Sequence, residues 1–378
     1  NLNYAWLKAK RLYQSADGYI DAGELAAFEI DLERKLFDIR RQFERGSYRL
    51  KKLRPLPRPK KISDNNPVDR QYYHVSVEDQ VAWIAVTNAL GPELDKKMPP
   101  WSYGNRLYRP AWYERDEESV STLEIGPYRH ASGHLYRKFQ HSWPLFRRHV
   151  TLTSRMMVAR RRLRRDEMGD ADRLAAASAE REQLAYFGRG FWPPAAESDT
   201  KNDLYYASID LKQFYPNLKV GAVLTGLAAA GAVEDPRMQT LLADMLRFQL
   251  DVSEMPDGVL SNVEPPFLKR SVSGIPTGLF VAGFLANAAM LPVDMAVEKK
   301  VHQLKSLAHF RFVDDHTIIA YNFDDLCNWI VWYEQLLVDC DIGVEVNKEK
   351  YDPPSLSDWM RLRGKTIANV SLPSGRAR

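Results

Sequence analysis

Two short stretches constrain this chain more than any others: Ser208-Ile209-Asp210-Leu211-Lys212-Gln213-Phe214-Tyr215-Pro216 and Phe310-Arg311-Phe312-Val313-Asp314-Asp315-His316. Each reads as a strand of mostly apolar or small residues that ends in bare carboxylates. An Asp at the mouth of a strand is costly to desolvate unless something cationic neutralises it. Asp314 and Asp315 fall where a hairpin should turn, with β-forming residues on both sides. If the two strands are neighbours, Asp210 and Asp314 converge within ~4 Å of two cations, the arrangement that in-line phosphoryl transfer uses. Both carboxylates must then stay ionised; neither has to act as acid or base. Magnesium suits them, because it takes oxygen ligands and keeps several waters.

The 378 residues can bury a substantial core and build two or three subdomains. Hydrophobic residues at 45% and charged residues at 27% suit a soluble globular protein. No apolar run is long enough to span a bilayer, which argues against a membrane role. Cys327 and Cys340 form neither a disulfide framework nor a zinc pattern, so a reducing cytosol is expected. No signal peptide is visible, although a chain that starts at Asn1 leaves room for a missing leader or first segment. The net charge of +4 is unevenly spread. Ten Lys or Arg and one acid, Glu44, lie between Arg40 and Lys61, and six Arg lie between Arg155 and Arg165. Such blocks fit a phosphate-bearing partner; a solvated basic helix face is the plainer reading.

Apolar spacing at Leu25, Phe28, Leu32, Leu36, Ile39 and Phe43 makes 1–50 an N-terminal helical segment, ended by Gly46. Leu53 to Pro67, rich in Pro and Lys, should be extended. A helix over Val77 to Leu90 is stopped by Gly91-Pro92. Residues 51–111 form one unit, and 112–200 a largely helical, Arg-rich insertion and linker with a surface helix over Asp170 to Leu184. Residues 201–355 hold the two Asp stretches. There the spacing predicts a strand over Leu204 to Leu211, helices over Asn217 to Ala230 and Met238 to Leu250, and a segment from Gly274 to Met295 that opens with Gly-Ile-Pro-Thr-Gly and becomes an apolar, small-residue helix. A hairpin over His309 to Ala320, a helix over Asp324 to Asp339 and a short strand over Gly343 to Val346 follow. Asp324-Asp325 reads as a helix N-cap. The order is that of an α+β layer, an antiparallel sheet backed by helices.

The resemblance then becomes specific. Ser208 to Pro216 resembles motif A of reverse transcriptases, and Phe312-Val313-Asp314-Asp315 resembles their motif C, the aromatic-x-Asp-Asp box. Between them, Gly274-Ile275-Pro276-Thr277-Gly278 with Leu285-Ala286-Asn287 is similar to motif B. Ser102-Tyr103-Gly104-Asn105-Arg106 resembles the Ser-Tyr-Gly-Phe-Arg of group II intron and retron-type enzymes, and Asn347-Lys348-Glu349-Lys350 the Asn-x-x-Lys of motif D. The five come in family order over roughly residues 50–355. The resemblance implies right-hand fingers (51–111) and palm (201–355), with 356–378 the start of a thumb or a C-terminal extension. A helical thumb needs more chain, so the thumb is short or missing.

Carried over by position, the resemblance makes Asp210 and Asp314 metal ligands, with the Leu211 carbonyl beside them, and Asp315 the supporting carboxylate. Two Mg2+ are implied, with Mn2+ as a substitute. Tyr215 falls at the steric gate, where a ring under the sugar excludes a 2′-hydroxyl; a core aromatic is the plainer reading. Arg70 is placed to grip the triphosphate, with Lys60 and Lys61 as further candidates, and Lys350 to give a proton to pyrophosphate. Gly274, Thr277 and Gly278 line the nucleotide, the glycines letting backbone approach the nascent base pair. Thr277 stands where the family has Gln, which keeps untemplated synthesis open. Arg106 and Arg109, with Arg155, Arg160, Arg161, Arg164 and Arg165 of the insertion, are candidates to hold nucleic acid, mainly by phosphate contacts. His316 is expected to face out of the hairpin.

The chain is thus read as similar to bacterial retron-like and "unknown group" defence-associated reverse transcriptases and to abortive-infection polymerases. That implies RNA-directed DNA synthesis from dNTPs in a bacterial cytoplasm, with an RNA template or non-coding RNA, a DNA product and a protein partner or second copy. An untemplated or protein-primed DNA polymerase on the same palm, an RNA-dependent RNA polymerase and a non-catalytic RNA-binding scaffold remain as alternatives.

Overall fold

In the computed structural model, described over residues 1–15, 20–56, 58–59, 69–70, 72–115, 121–162, 204–253, 271–272 and 274–347, both Asp stretches belong to one antiparallel sheet. Its strand order is β7 (Tyr205–Asp210), β9 (Asp315–Ala320), β8 (Leu307–Phe312). Asp210 pairs with Asp315, and Asp315 also pairs with Phe312. Alternation then puts Asp210, Asp315, Phe312 and Phe310 on one face and His309, Arg311 and His316 on the other. All six β8 residues are buried, because both of its faces are covered.

Helices supply that cover. The second face packs on α9 (Ala282–Leu304) and α10 (Phe323–Asp339), and α5 (Phe139–Arg162) lies on the first face of β8. α9 also packs against α4 (Val77–Lys97) and α7 (Val220–Ala229), and Gly226 permits this: a Cβ there would lie 1.7 Å from the Ala288 carbonyl oxygen. A single turn, α6 (Phe214–Asn217), precedes α7, and α8 (Pro236–Met245) follows it. The N-terminal α1 (Leu2–Ser15), α2 (Ala22–Ile30) and α3 (Leu32–Glu44) gather around α4; the run ends at Gly46, φ +61°. Two-residue strands β1 to β4 (Arg54–Pro55, Arg58–Pro59, Asp69–Arg70, Tyr73–His74) make two small pairs, of which β1 and β2 fall in the stretch read as extended.

Several expectations need correction. α4 runs through Gly91-Pro92 to Lys97. Its burial along most of its length outweighs the lost Pro92 hydrogen bond, and a Cβ at Gly91 would meet the Leu107 side chain at 2.6 Å. The start of the supposed helical insertion contains a hairpin, β5 (Ala111–Arg115) with β6 (Ser121–Ile125), which carries the β-formers Trp112, Tyr113, Thr122 and Ile125. The helix that follows the Gly274 to Gly278 opening runs past Met295 to Leu304; it starts at Ala282, with Pro276 and Gly278 (φ +109°) holding the preceding chain irregular. α8 starts at Pro236, capped by Asp235, and stops at Met245. The cap of α10 is Asn322, which accepts from the Asp325 N–H at 2.9 Å; Asp324 and Asp325 occupy the first turn. The surface helix over 170–184 and residues 356–378 lie outside the described residues. No described helix is long and apolar enough to cross a membrane.

Candidate active site

The register makes Asp315 the direct cross-strand neighbour of Asp210. Directly opposed residues hold their Cβ atoms about 5 Å apart, where two like charges repel. A sheet end with this pairing is stabilised by a cation. Asp314 occupies the two-residue turn between β8 and β9 with Val313. Val313 has φ +62°. A tight hairpin needs such a residue, but a β-branched side chain adopts it only under strain.

That strain is held by neighbours. Trp101 to Tyr103 runs parallel to the β8 edge: the Tyr103 N–H donates to the Arg311 carbonyl at 2.8 Å, and the Arg311 N–H to the Trp101 carbonyl at 3.1 Å. Gly104 then nests under the turn, where a Cβ would lie 2.5 Å from the Val313 nitrogen. Asn287 donates to the carbonyls of Gly104 (3.0 Å) and Asn105 (3.2 Å), and Arg311 donates to Asn287 Oδ1 and to the Val313 carbonyl, both at 3.2 Å. The segments read as finger motif, motif B and motif C therefore meet in one buried network.

Asp210 is braced from its other side. The Asn347 N–H donates to the Asp210 carbonyl at 2.7 Å, its Nδ2 to Asp210 Oδ2 at 3.1 Å, and Lys212 N–H to the Glu345 carbonyl at 2.8 Å. Because successive peptides alternate, the Leu211 carbonyl lies on the opposite edge, toward β9. Asp210, Asp314 and this carbonyl are all hard oxygen donors, which fits magnesium. The three carboxylates do not close on one another as a trio. Among the described residues, the one trio of His, Cys, Asp or Glu with ligand atoms mutually within 4.8 Å is Asp21, Glu24 and His74. That trio is an internal clasp: His74 Nε2 meets Glu24 Oε2 at 2.7 Å, and Arg54 donates to Asp21 at 3.0 Å.

Tyr215 and Asp314 line one cleft of about 530 Å³, with Asn105, Arg137, Phe139, Trp143 and Phe312. Asn105 Nδ2 donates to the Tyr215 hydroxyl at 3.2 Å. Burial, opposed by that bond and reinforced by Asp314, pushes the phenol up to about 12, so it stays neutral. Gly274 and Gly278 each make room for protein backbone. A Cβ at Gly274 would lie 2.2 Å from the Pro216 carbonyl oxygen, and one at Gly278 would lie 2.1 Å from that of Tyr73. The Ile275 N–H donates to the Tyr215 carbonyl at 2.9 Å, and Tyr73 N–H to the Thr277 carbonyl at 2.9 Å. Both glycines let this loop seat against protein backbone, one directly behind Tyr215.

The basic candidates separate. Arg106 is 9% exposed, with Nε 2.8 Å from Asp95 Oδ1 and its other donors on the Asp95, Pro99 and Ser102 carbonyls; it is a structural clamp, not a nucleic-acid contact. Arg109 donates to the Gly126 carbonyl at 2.7 Å. Arg155 is exposed on α5, and Arg160 and Arg161 continue that helix. Arg164, Arg165, Lys60, Lys61 and Lys350 lie outside the described residues, and of Arg70 only the backbone, in β3, is described. His316 does not face outward: it is 1% exposed under the sheet, its Nδ1 3.0 Å from His309 Nε2, with Trp329 donating to His309 Nδ1 at 3.1 Å. The sequence reading placed Asn347 and Asn287 in their motifs without giving either a bond to make, and it passed over the Arg137–Trp143 wall. For that wall a signal existed, in aromatics four and three apart at Phe139, Trp143 and Phe146.

No family model matches the chain, and no curated protein matches it. Among solved structures it is similar to apo telomerase from Candida tropicalis (11% identity, TM-score 0.38, 80% of this chain and 44% of that one). It is also similar to telomerase from Candida albicans in complex with a TWJ fragment of telomeric RNA (11% identity, TM-score 0.29, 79% and 50%). The chain thus spans about half the length of these relatives. Likenesses this slight do not assign a function, and the site is read from its own geometry.

Proposed function

We propose that the chain is a template-directed nucleotidyltransferase of reverse-transcriptase type, adding deoxynucleotides to a growing strand. One observation carries this: Asp210 and Asp315 oppose each other at a sheet end, and Asp314 opens from the adjoining turn into the cleft that Tyr215 lines. Asp210, Asp314 and the Leu211 carbonyl would hold magnesium. Bound there, magnesium lowers the pKa of an attacking 3′-hydroxyl and stabilises the leaving pyrophosphate oxygen.

The chain's own residues do the positioning. Asn347 fixes one Asp210 oxygen, leaving its rotamer little freedom. Arg311 and Gly104 hold the Val313–Asp314 turn. Asn105 pins the Tyr215 hydroxyl, so the ring stays as a floor against which a 2′-hydroxyl would clash. The resemblance of the five motifs extends the proposal to an RNA template, to partner non-coding RNA and to bacterial anti-phage defence.

The test is to purify the protein with its bound nucleic acid, supply each labelled deoxynucleotide with magnesium, and sequence the product. A product complementary to a copurified RNA is expected. A homopolymer unaffected by RNase would replace templated with untemplated synthesis. No incorporation and no magnesium binding would leave an RNA-binding scaffold.

A further inference from the structure

The cleft beside Asp314 has a wall built by none of the five motifs. It comes from the chain entering α5: Arg137, Phe139 and Trp143. Phe139, Trp143 and Phe146 share one face of the helix. Phe146 is 4% exposed and packs on Phe312 at 5.7 Å between ring centroids. Trp143 stacks on Phe146 at 5.2 Å and meets Phe312 edge-on at 5.0 Å. Phe139 stacks on Trp143 at 5.9 Å with only 13° between planes and touches Phe312 edge-on at 5.7 Å. The ladder climbs from core to water, and its top rung, Phe139, is 60% exposed. A phenyl ring fixed by its neighbours and bare on its outer side offers a stacking face at little entropic cost.

Arg137 stands beside it, half-buried. Burial, and then the charge of Arg106, lower its pKa. Among the described residues no carboxylate or carbonyl accepts from its guanidinium, whereas Arg106 and Arg311 have their forks filled by Asp95 and Asp294. The first turn of α5 carries no acid that could pair with it. A half-buried guanidinium that feels the Asp95 charge only at a distance, with no acceptor bonded to it among the described residues, is suited to an anion that the protein does not itself supply.

Resting on the polymerase reading, we infer that Arg137 and Phe139 hold the end of a single polynucleotide strand. A backbone phosphate lies on the guanidinium and a base stacks on the phenyl ring, without sequence preference. The fold separates this wall from the nucleotide floor. Phe139 and Trp143 rest on Phe312 at the end of β8, whereas Tyr215 follows β7, with β9 between them. An incoming nucleotide on the Tyr215 side and a strand end on the Phe139 side would meet at Asp314.

The test is fluorescence anisotropy of the full chain with a short labelled oligothymidylate, without magnesium or nucleotide, over a salt series. Phe139→Ala should weaken binding roughly tenfold with the salt slope unchanged. Arg137→Gln should weaken it several-fold and flatten the slope by about 0.7, one phosphate contact on a single strand. Arg137→Lys should keep the slope and so separates lost charge from lost fold. Arg237→Gln and Phe37→Ala, both exposed away from the cleft, should bind as wild type. Unchanged affinity in the Arg137 and Phe139 variants overturns the inference. So does a rise in the KM for deoxynucleotide with strand affinity unchanged, which would assign Arg137 to the triphosphate. A wild type that binds strand through these residues but incorporates nothing sinks the polymerase reading and keeps the strand site; an active wild type whose two variants bind normally does the reverse.

Discussion

Arg311 and Asp294 form a two-armed ion pair within the core, Nε to Oδ1 at 3.0 Å and Nη2 to Oδ2 at 2.5 Å, with Arg311 at 0% and Asp294 at 1% exposure. Burial pushes the Asp294 carboxyl up, and Arg311 opposes that push. The third arm of the guanidinium reaches the Val313 carbonyl, so the pair ties helix α9 to the strained turn before Asp314. Removing one partner leaves a buried charge and should cost about 3–5 kcal/mol. Arg311→Met should therefore lower the Tm sharply, and adding Asp294→Leu should restore most of it. Activity should stay low in the double variant, because the turn is no longer tethered. Full activity there would show that the tether is dispensable.

Asp210→Asn and Asp314→Asn each remove one ionised donor while keeping the side-chain shape. Each should abolish deoxynucleotide incorporation in a primer-extension assay and leave the far-ultraviolet circular dichroism unchanged. A folded variant that still extends primer would break the site assignment.

Tyr215 separates sugar selection from core packing. Tyr215→Gly should raise the ratio of ribonucleotide to deoxynucleotide incorporation by at least tenfold. Tyr215→Phe keeps the ring and loses only the Asn105 bond, so it should preserve discrimination. If Tyr215→Gly leaves the ratio unchanged, the ring is a core aromatic and nothing more.

Gly104 is a steric requirement of the turn. Gly104→Ala places a methyl 2.5 Å from the Val313 backbone nitrogen, which cannot yield as a flexible side chain could. Overpacking of this kind costs about 1–3 kcal/mol. Extension should fall more than tenfold while a melt still shows a cooperative transition.

Asp79 predicts a pH dependence of stability. It accepts from the Tyr48 hydroxyl (2.8 Å), the Ser76 hydroxyl (2.7 Å) and the Lys51 N–H (3.0 Å), pinning the start of α4. Burial still pushes its pKa up to about 6, with those bonds opposing. The folded state thus binds a proton that the unfolded chain, titrating near 4, has released. Stability from this group is present below the unfolded value and falls as pH rises from about 4 to 6, then levels off. Asp79→Asn should remove that slope, so its Tm relative to wild type should be more favourable at pH 7.5 than at pH 4.5. A constant difference across that range would refute the assignment.

Local features were legible in the sequence wherever one segment sufficed to encode them. The strand before Asp210 and the hairpin around Asp314 follow from short alternating runs with β-forming flanks. The heptad-like spacing of Leu25 to Phe43 marks the N-terminal helices, and Gly46 marks their end. The helix stop at Gly91-Pro92 and the outward His316 were read wrongly for a shared reason. Each reading used a local rule, and each was outweighed by burial against distant residues, α4 in the core and His316 against His309 under α10.

What the chain determined by itself is the set of side chains and the elements that bear them: two strands ending in carboxylates, a Gly-Pro-Gly loop and an Asn three residues before Lys350. Only the tertiary structure decided that Asp210 opposes Asp315, that Asn347 braces Asp210, and that Arg106 is a buried clamp while Arg137 lines the cleft with no bonded acceptor among the described residues. The physical reason is range. Secondary structure answers to neighbours within a few residues. The partner of a charge is chosen by packing between separate elements, from 11 residues apart for Arg106 and Asp95 to 137 for Asn347 and Asp210, and one residue's shift in register moves a side chain to the other face of a sheet.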